Sequence, residues 1–179
     1  MPWFDVLAAP YFAAALVLAL AGASKLRRPG PPSRALRAAG MPSARWLVRC
    51  LAVVELAVAV GALAFPRTLA AVALGTVYLG FAAFLGRMLV RGTPQATCGC
   101  LGERDLPPSA LHVALNLTAA GAAIGVAATG GPAAGATAFV TGLPLDGAPF
   151  LVGAGLLAFL AYLAAAYLPE AFAAFREIR

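Results

Sequence analysis

Polar residues are scarce along this chain, and where they fall marks out its elements. Five apolar stretches, each about 20 residues long, are separated by polar joints. A helix of that length crosses a bilayer core of about 30 Å. The first stretch runs from about Trp3 to Leu26, the second from about Arg45 to Phe65, and the third from about Thr68 to Val90. The second stops at Pro66. The fourth opens at Pro107-Pro108-Ser109, where proline suits a first helical turn, and fades by Thr129-Gly130-Gly131-Pro132. The fifth runs from about Ala148 to Leu168, with Pro169 after it and a short amphipathic tail from Glu170 to Arg179. Between the last two, residues 130–147 are rich in Gly, Ala and Pro. Their central Ala-Phe-Val stretch is too short to span, so this segment reads as a loop that dips to the interface. No internal repeat appears at helix-pair spacing. The pattern predicts an all-α integral membrane protein.

Composition supports lipid as the solvent. Of 179 residues, 62% are hydrophobic and only 11% are charged, with mean hydropathy +0.88. Soluble domains are about half apolar and a quarter charged. The net charge of +6 does not signal nucleic acid, because no basic-aromatic surface or nucleic-acid motif accompanies it. It clusters after the first stretch: Lys25, Arg27, Arg28, Arg34, Arg37, Arg45 and Arg49, with no acid among them. The positive-inside rule makes that joint cytoplasmic in a multi-pass cell-membrane protein. The amino terminus and the Phe65-Pro66-Arg67 turn then lie outside. The segment from Arg91 to Leu106 lies inside, as does the carboxyl terminus. Ala21-Gly22-Ala23 resembles a signal-peptide cleavage site. Asp5 stands where such a peptide carries positive charge, so the first stretch is expected to remain as a helix.

Reactive chemistry concentrates in the polar segment before the fourth stretch, at Thr97-Cys98-Gly99-Cys100-Leu101-Gly102. Two thiols one residue apart can pair, pass a disulfide to another protein, or grip a soft metal. A disulfide closing so small a ring is strained, and strained exposed disulfides are the labile, catalytic ones. Cys50 lies about five residues into the second helix, roughly 7 Å below its start and towards the same face of the membrane. It reads as a small buried hydrophobe. Glu55, the only acid inside a spanning stretch, lies roughly 15 Å along its helix, near mid-bilayer. A carboxyl group there is costly as an anion and is either protonated or paired. It can serve as a proton carrier, or as a structural hydrogen bond to a group such as Tyr78.

The fourth stretch carries Ser109, His112 and Asn116 at spacings of three and four, on one helical face that must look towards protein. His112, the single histidine, can take the proton of an attacking thiol or hold a thiolate as an imidazolium. With Glu55, His112 and Asn116 are expected to form a polar patch inside the bundle where a proton can be held. Gly121 and Gly125 form a small-xxx-small surface read as packing. Lys25, ending the first stretch, is expected to snorkel to the interface.

Together, Ala21-Gly22-Ala23-Ser24-Lys25-Leu26, Glu55, Cys98-Gly99-Cys100-Leu101-Gly102 and Asn116 resemble the MauE branch of the DoxX-like membrane proteins. The cysteine motif is the specific part, although Leu101 stands where Phe is commoner. The basic residue usual before the Asn is Leu115 here. The resemblance covers roughly residues 8–126. It implies a DoxX-like four-helix transmembrane bundle over 1–129, followed by the 130–147 loop and a fifth transmembrane helix with its tail over 148–179. It also implies thiol redox chemistry with a thioredoxin-like or other redox partner, in maturation of an enzyme such as methylamine dehydrogenase. By analogy of architecture it suggests quinone as the electron acceptor, its head group held in the patch of Glu55, His112 and Asn116, with His112 and Asn116 as donors to a ring carbonyl. Oxidising exported proteins needs cysteines outside, whereas the charge rule puts Cys98 and Cys100 inside. The charge asymmetry favours a cytoplasmic thiol partner, with electrons relayed through Cys50 or a cofactor. Two other classes stand beside this thiol–disulfide oxidoreductase. One is a carrier of Cu(I), Zn or another soft ion on Cys98, Cys100 and Cys50 or His112. The other is a non-enzymatic membrane assembly factor.

Overall fold

The computed structural model describes residues 2–91, 109–130 and 135–177. Among them there is no strand. The helices are α1 (Pro2–Arg27), α2 (Gly30–Ala38), α3 (Arg45–Ala64), α4 (Thr68–Val90), α5 (Ala110–Thr129), α6 (Gly135–Thr141) and α7 (Ala148–Glu177). A 3-10 turn, Pro144–Gly147, precedes α7. Five segments are long and apolar enough to cross a membrane: Val6–Arg27, Arg45–Ala64, Thr68–Val90, Ala110–Thr129 and Ala148–Leu168. The chain is a multi-pass, all-helical membrane protein. Its outer surface fits lipid: Val53, Val54, Val60, Leu69, Val152 and Phe159 are each more than half exposed, a wasteful arrangement in water.

α1 packs mainly on α3, and α4 mainly on α5. α1 also touches α5 and α7, so it stands at the centre of the bundle. The core is made of small residues, among them Ala8, Ala15, Ala59, Ala62, Ala71 and Ala123, with Tyr11, Leu18 and Leu74 filling between them. Small side chains let helix backbones approach closely, which is how helices pack when lipid is as apolar as leucine. Gly22 is the clearest case: a Cβ there would lie 3.0 Å from the Ala52 carbonyl oxygen and 3.3 Å from the Glu55 Cβ. Of the small-xxx-small pair on α5, Gly125 packs against Leu7 of α1, while Gly121 faces open space. That pair therefore supplies one packing position.

Three segments of the helical framework differ from the sequence reading. The first joint contains α2, a short amphipathic helix with Pro31 and Pro32 in its first turn, where missing N–H groups cost nothing. It buries Pro32, Ser33 and Ala35 and exposes Arg34 and Arg37. Within 130–147, α6 and the 3-10 turn replace an open loop. Phe139 on α6 stacks on Phe12 at 6.5 Å and meets Phe150 edge-on at 5.5 Å, so aromatic packing holds the segment against α1 and α7. Finally, α7 continues through Pro169 to Glu177. A proline inside a helix removes one donor, and the helix persists where the freed carbonyl finds another partner. Such a partner exists and is described below. α5 ends as its sequence indicates, with Gly130 in the left-handed cap conformation at φ 79°.

A buried ion pair and a cavity between four helices

Lys25 does not snorkel. Its Nζ donates to Glu55 Oε1 at 2.9 Å and Oε2 at 2.7 Å, with Lys25 only 3% exposed and Glu55 fully buried. The reason is geometric. Helical side chains lean towards the helix N-terminus, so a lysine at the end of α1 leans into the bilayer, away from the nearer interface. Glu55, ten residues into α3, leans back towards the same level. Gly22, one turn before Lys25, brings the two backbones close enough for the ammonium to span them. Nζ also sits 5.0 Å from the centroid of the Phe81 ring on α4. Each charge would be prohibitively costly alone in this setting, and each is tolerated because of the other.

Tyr78 is not the partner of Glu55. Its hydroxyl donates to the Ala14 carbonyl at 2.7 Å, tying α4 to α1. On α5, Ser109 Oγ and His112 Nδ1 are 2.7 Å apart, and Asn116 Nδ2 donates to the His112 carbonyl at 2.6 Å. His112 is buried, and its ring is also hydrogen-bonded to the backbone of Ala165 on α7. Ala165 lies four residues before Pro169, so its carbonyl is the one that the proline nitrogen cannot serve. His112 stands where it can offer that carbonyl a side-chain donor.

A cavity of about 220 Å³ lies among α1, α4, α5 and α7. Lys25, Tyr78, His112, Asn116 and Thr118 are the polar residues of its lining. Most of the remaining lining is apolar, including Pro10, Val17, Leu18, Phe81, Leu85 and Leu157. Glu55 does not line the cavity; it is reached only through Lys25. The structure thus brings His112 and Asn116 to one cavity, with Lys25 in the place where Glu55 was expected. Sequence reasoning missed Lys25 as a site residue. The available signal was that a lone cation ending one spanning stretch and a lone acid inside another each need a partner in lipid.

Cys50 is exposed on the surface of α3, not buried as expected. It faces outward while His112 faces inward. Cys98 and Cys100 lie outside the described residues. The helices that bracket them are described: the chain leaves α4 at Arg91 and enters α5 after Ser109. Helix order puts these ends on the same side of the bundle as the end of α1, where Lys25 stands.

The fold and site define a polytopic helical membrane protein with a charge pair buried between its first two spanning helices and a mostly apolar cavity beside it. The family model described as methylamine utilisation protein MauE matches residues 1–130, and the chain belongs to that family. Over 128 residues it is 40% identical to methylamine utilization protein MauE of Paracoccus denitrificans, covering 70% of this chain. The match covers 65% of the length of that relative. No solved structure matches. α6 and α7 lie beyond the residues matched by the family model, yet α7 provides one wall of the cavity.

Proposed function

We propose that this protein is a membrane thiol–disulfide redox protein serving methylamine utilisation. In this reading Cys98 and Cys100 exchange a disulfide with a thioredoxin-like partner during maturation of a redox enzyme such as methylamine dehydrogenase. One thiolate attacks the partner's sulfur and the second resolves the mixed disulfide. Taking electrons from a partner dithiol leaves the pair reduced, so the cycle needs an acceptor, and a membrane quinone serves. Turning Cys98 and Cys100 back into a disulfide breaks two S–H bonds and forms one S–S bond. The two electrons and two protons released convert quinone to quinol. His112 and Glu55 belong to the proton path in this scheme, Glu55 through its partner Lys25.

The observation that supports this reading best is spatial. The polar residues of the cavity, Lys25, His112 and Asn116, lie in the half of the bundle whose helix ends bracket the cysteine segment. Membership of the MauE family and the Cys-Gly-Cys motif give it its chemistry. By the charge rule the protein sits in the cell membrane with its amino terminus outside and the cysteine segment inside. The experiment is the redox state of the partner in cells carrying Cys98→Ser with Cys100→Ser. The proposal expects the partner's thiols to shift in oxidation state relative to wild type. A partner titrating as in wild type would sink it.

A further inference from the structure

The geometry points to the cavity as a quinone head-group site in which Lys25 is the hydrogen-bond donor to a ring carbonyl; this inference rests on the redox reading above. An ammonium has three donors. Two of them are met by Glu55, and the third has no oxygen or nitrogen acceptor among the described residues. Asn116 likewise uses one amide N–H on the His112 carbonyl and keeps another. A ligand here meets two spare donors beside the Asn116 amide oxygen, and a carbonyl oxygen is an acceptor that fits those donors.

Charge narrows the class. Glu55 already neutralises Lys25, so the wall offers no net positive charge to a fatty-acid carboxylate or a lipid phosphate. A neutral ligand with carbonyl oxygens suits it better. Shape narrows it further. A dry apolar cavity of about 150 Å³ takes up a benzene ring, so about 220 Å³ admits a substituted ring. It is smaller than the roughly 300–1,000 Å³ of sites that enclose a whole drug-sized ligand. A long prenyl tail must therefore leave between helices into lipid. The lining has that polarity along its length: Lys25, His112 and Asn116 stand towards the cysteine-segment end, and Pro10 and Val17 lie further along α1. From Pro10 to Lys25 the wall covers roughly 22 Å of helix axis. A quinone with its ring towards the cysteine segment and its tail directed away satisfies all three constraints. Glu55, which does not touch the cavity, is a positioning residue that aims the Lys25 ammonium.

The test is direct binding of a short-tailed ubiquinone analogue to the purified full chain in phosphatidylcholine nanodiscs. Infrared difference spectra of the bound quinone carbonyl are recorded alongside. Saturable binding is expected, with a carbonyl stretch shifted down by hydrogen bonding. Cys98→Ser with Cys100→Ser should bind as wild type does, which separates this site from the thiol-exchange reading. Ala161→Phe, which fills the cavity from α7, should weaken binding at least tenfold. Lys25→Met combined with Glu55→Met leaves no unpaired charge and should still fold; it should reduce the carbonyl shift, leaving only what Asn116 supplies. Absence of saturable binding to wild type, or an unchanged carbonyl shift in the charge-free double variant, overturns the assignment.

Discussion

Among the described residues, a fully buried polar pair and a half-buried polar cluster line the inside of this bundle, and they are built on opposite principles. Lys25 and Glu55 sit on different helices, form an ion pair and depend on each other across the α1–α3 seam. Ser109, His112 and Asn116 sit on one helix, and the hydrogen bonds of Ser109 and Asn116 run within α5. Only His112 reaches outward, to the Ala165 backbone on α7. The first cluster is an all-or-nothing device, because removing one member strands a charge in a low-dielectric interior. The second is divisible, because each neutral bond contributes about 1 kcal/mol and can be lost singly. The family-matched core thus holds the obligatory pair, and the joint to α7 rests on the adaptable one.

Charge removal separates them most sharply. Lys25→Met should destabilise the purified protein by about 3–5 kcal/mol, the usual penalty for stranding one partner of a buried pair. Adding Glu55→Met should recover most of that loss, since a well-packed apolar pair is often as stable as the ion pair it replaces. Chemical-denaturant titrations of the two single variants and the double variant in detergent would measure both effects. If Lys25→Met is as stable as wild type, the ion pair does not hold the seam.

A smaller effect is expected at His112. His112→Ala should cost about 1–2 kcal/mol, because it leaves the Ala165 carbonyl without its side-chain donor. The damage should be local: faster proteolysis of the carboxyl-terminal half of α7, with the packing of α1, α3, α4 and α5 kept. Limited proteolysis followed by mass spectrometry would read this, and cleavage spread evenly over the chain would contradict it. Asn116→Ala should have the least effect on stability, about 0.5 kcal/mol, because Asn116 bonds only its own helix. Its loss should appear instead in quinone binding.

The same contrast explains what could be read from sequence. The five spans were legible because lipid imposes long unbroken apolar runs, and boundaries such as Arg45, Thr68, Val90, Thr129 and Ala148 agree with the structure to the residue. The α5 stripe was legible because spacings of three and four fix one face on a helix. The Lys25–Glu55 pair was not, because its members are 30 residues apart and nothing local says which helices adjoin. Glu55 was rightly expected to be protonated or paired, but its partner was sought at Tyr78 and Lys25 was sent to the interface. The amphipathic face of α2 was hidden in a run of arginines that also serves as an orientation signal. The continuation of α7 past Pro169 was not legible because proline more often ends a helix, and the side chain beside the Ala165 backbone, His112, lies more than fifty residues away in sequence.

The central claim is that the cysteine pair and the cavity are two ends of one electron path. It is tested most directly by a single turnover in which the purified full chain, with Cys98 and Cys100 reduced, is mixed with the short-tailed ubiquinone analogue. Quinol formation is followed by its ultraviolet absorbance. The account predicts about one quinol per chain, lost in Cys98→Ser with Cys100→Ser and strongly slowed in Ala161→Phe. Quinol formed equally by the cysteine variant, or none formed by the reduced wild type, would contradict it.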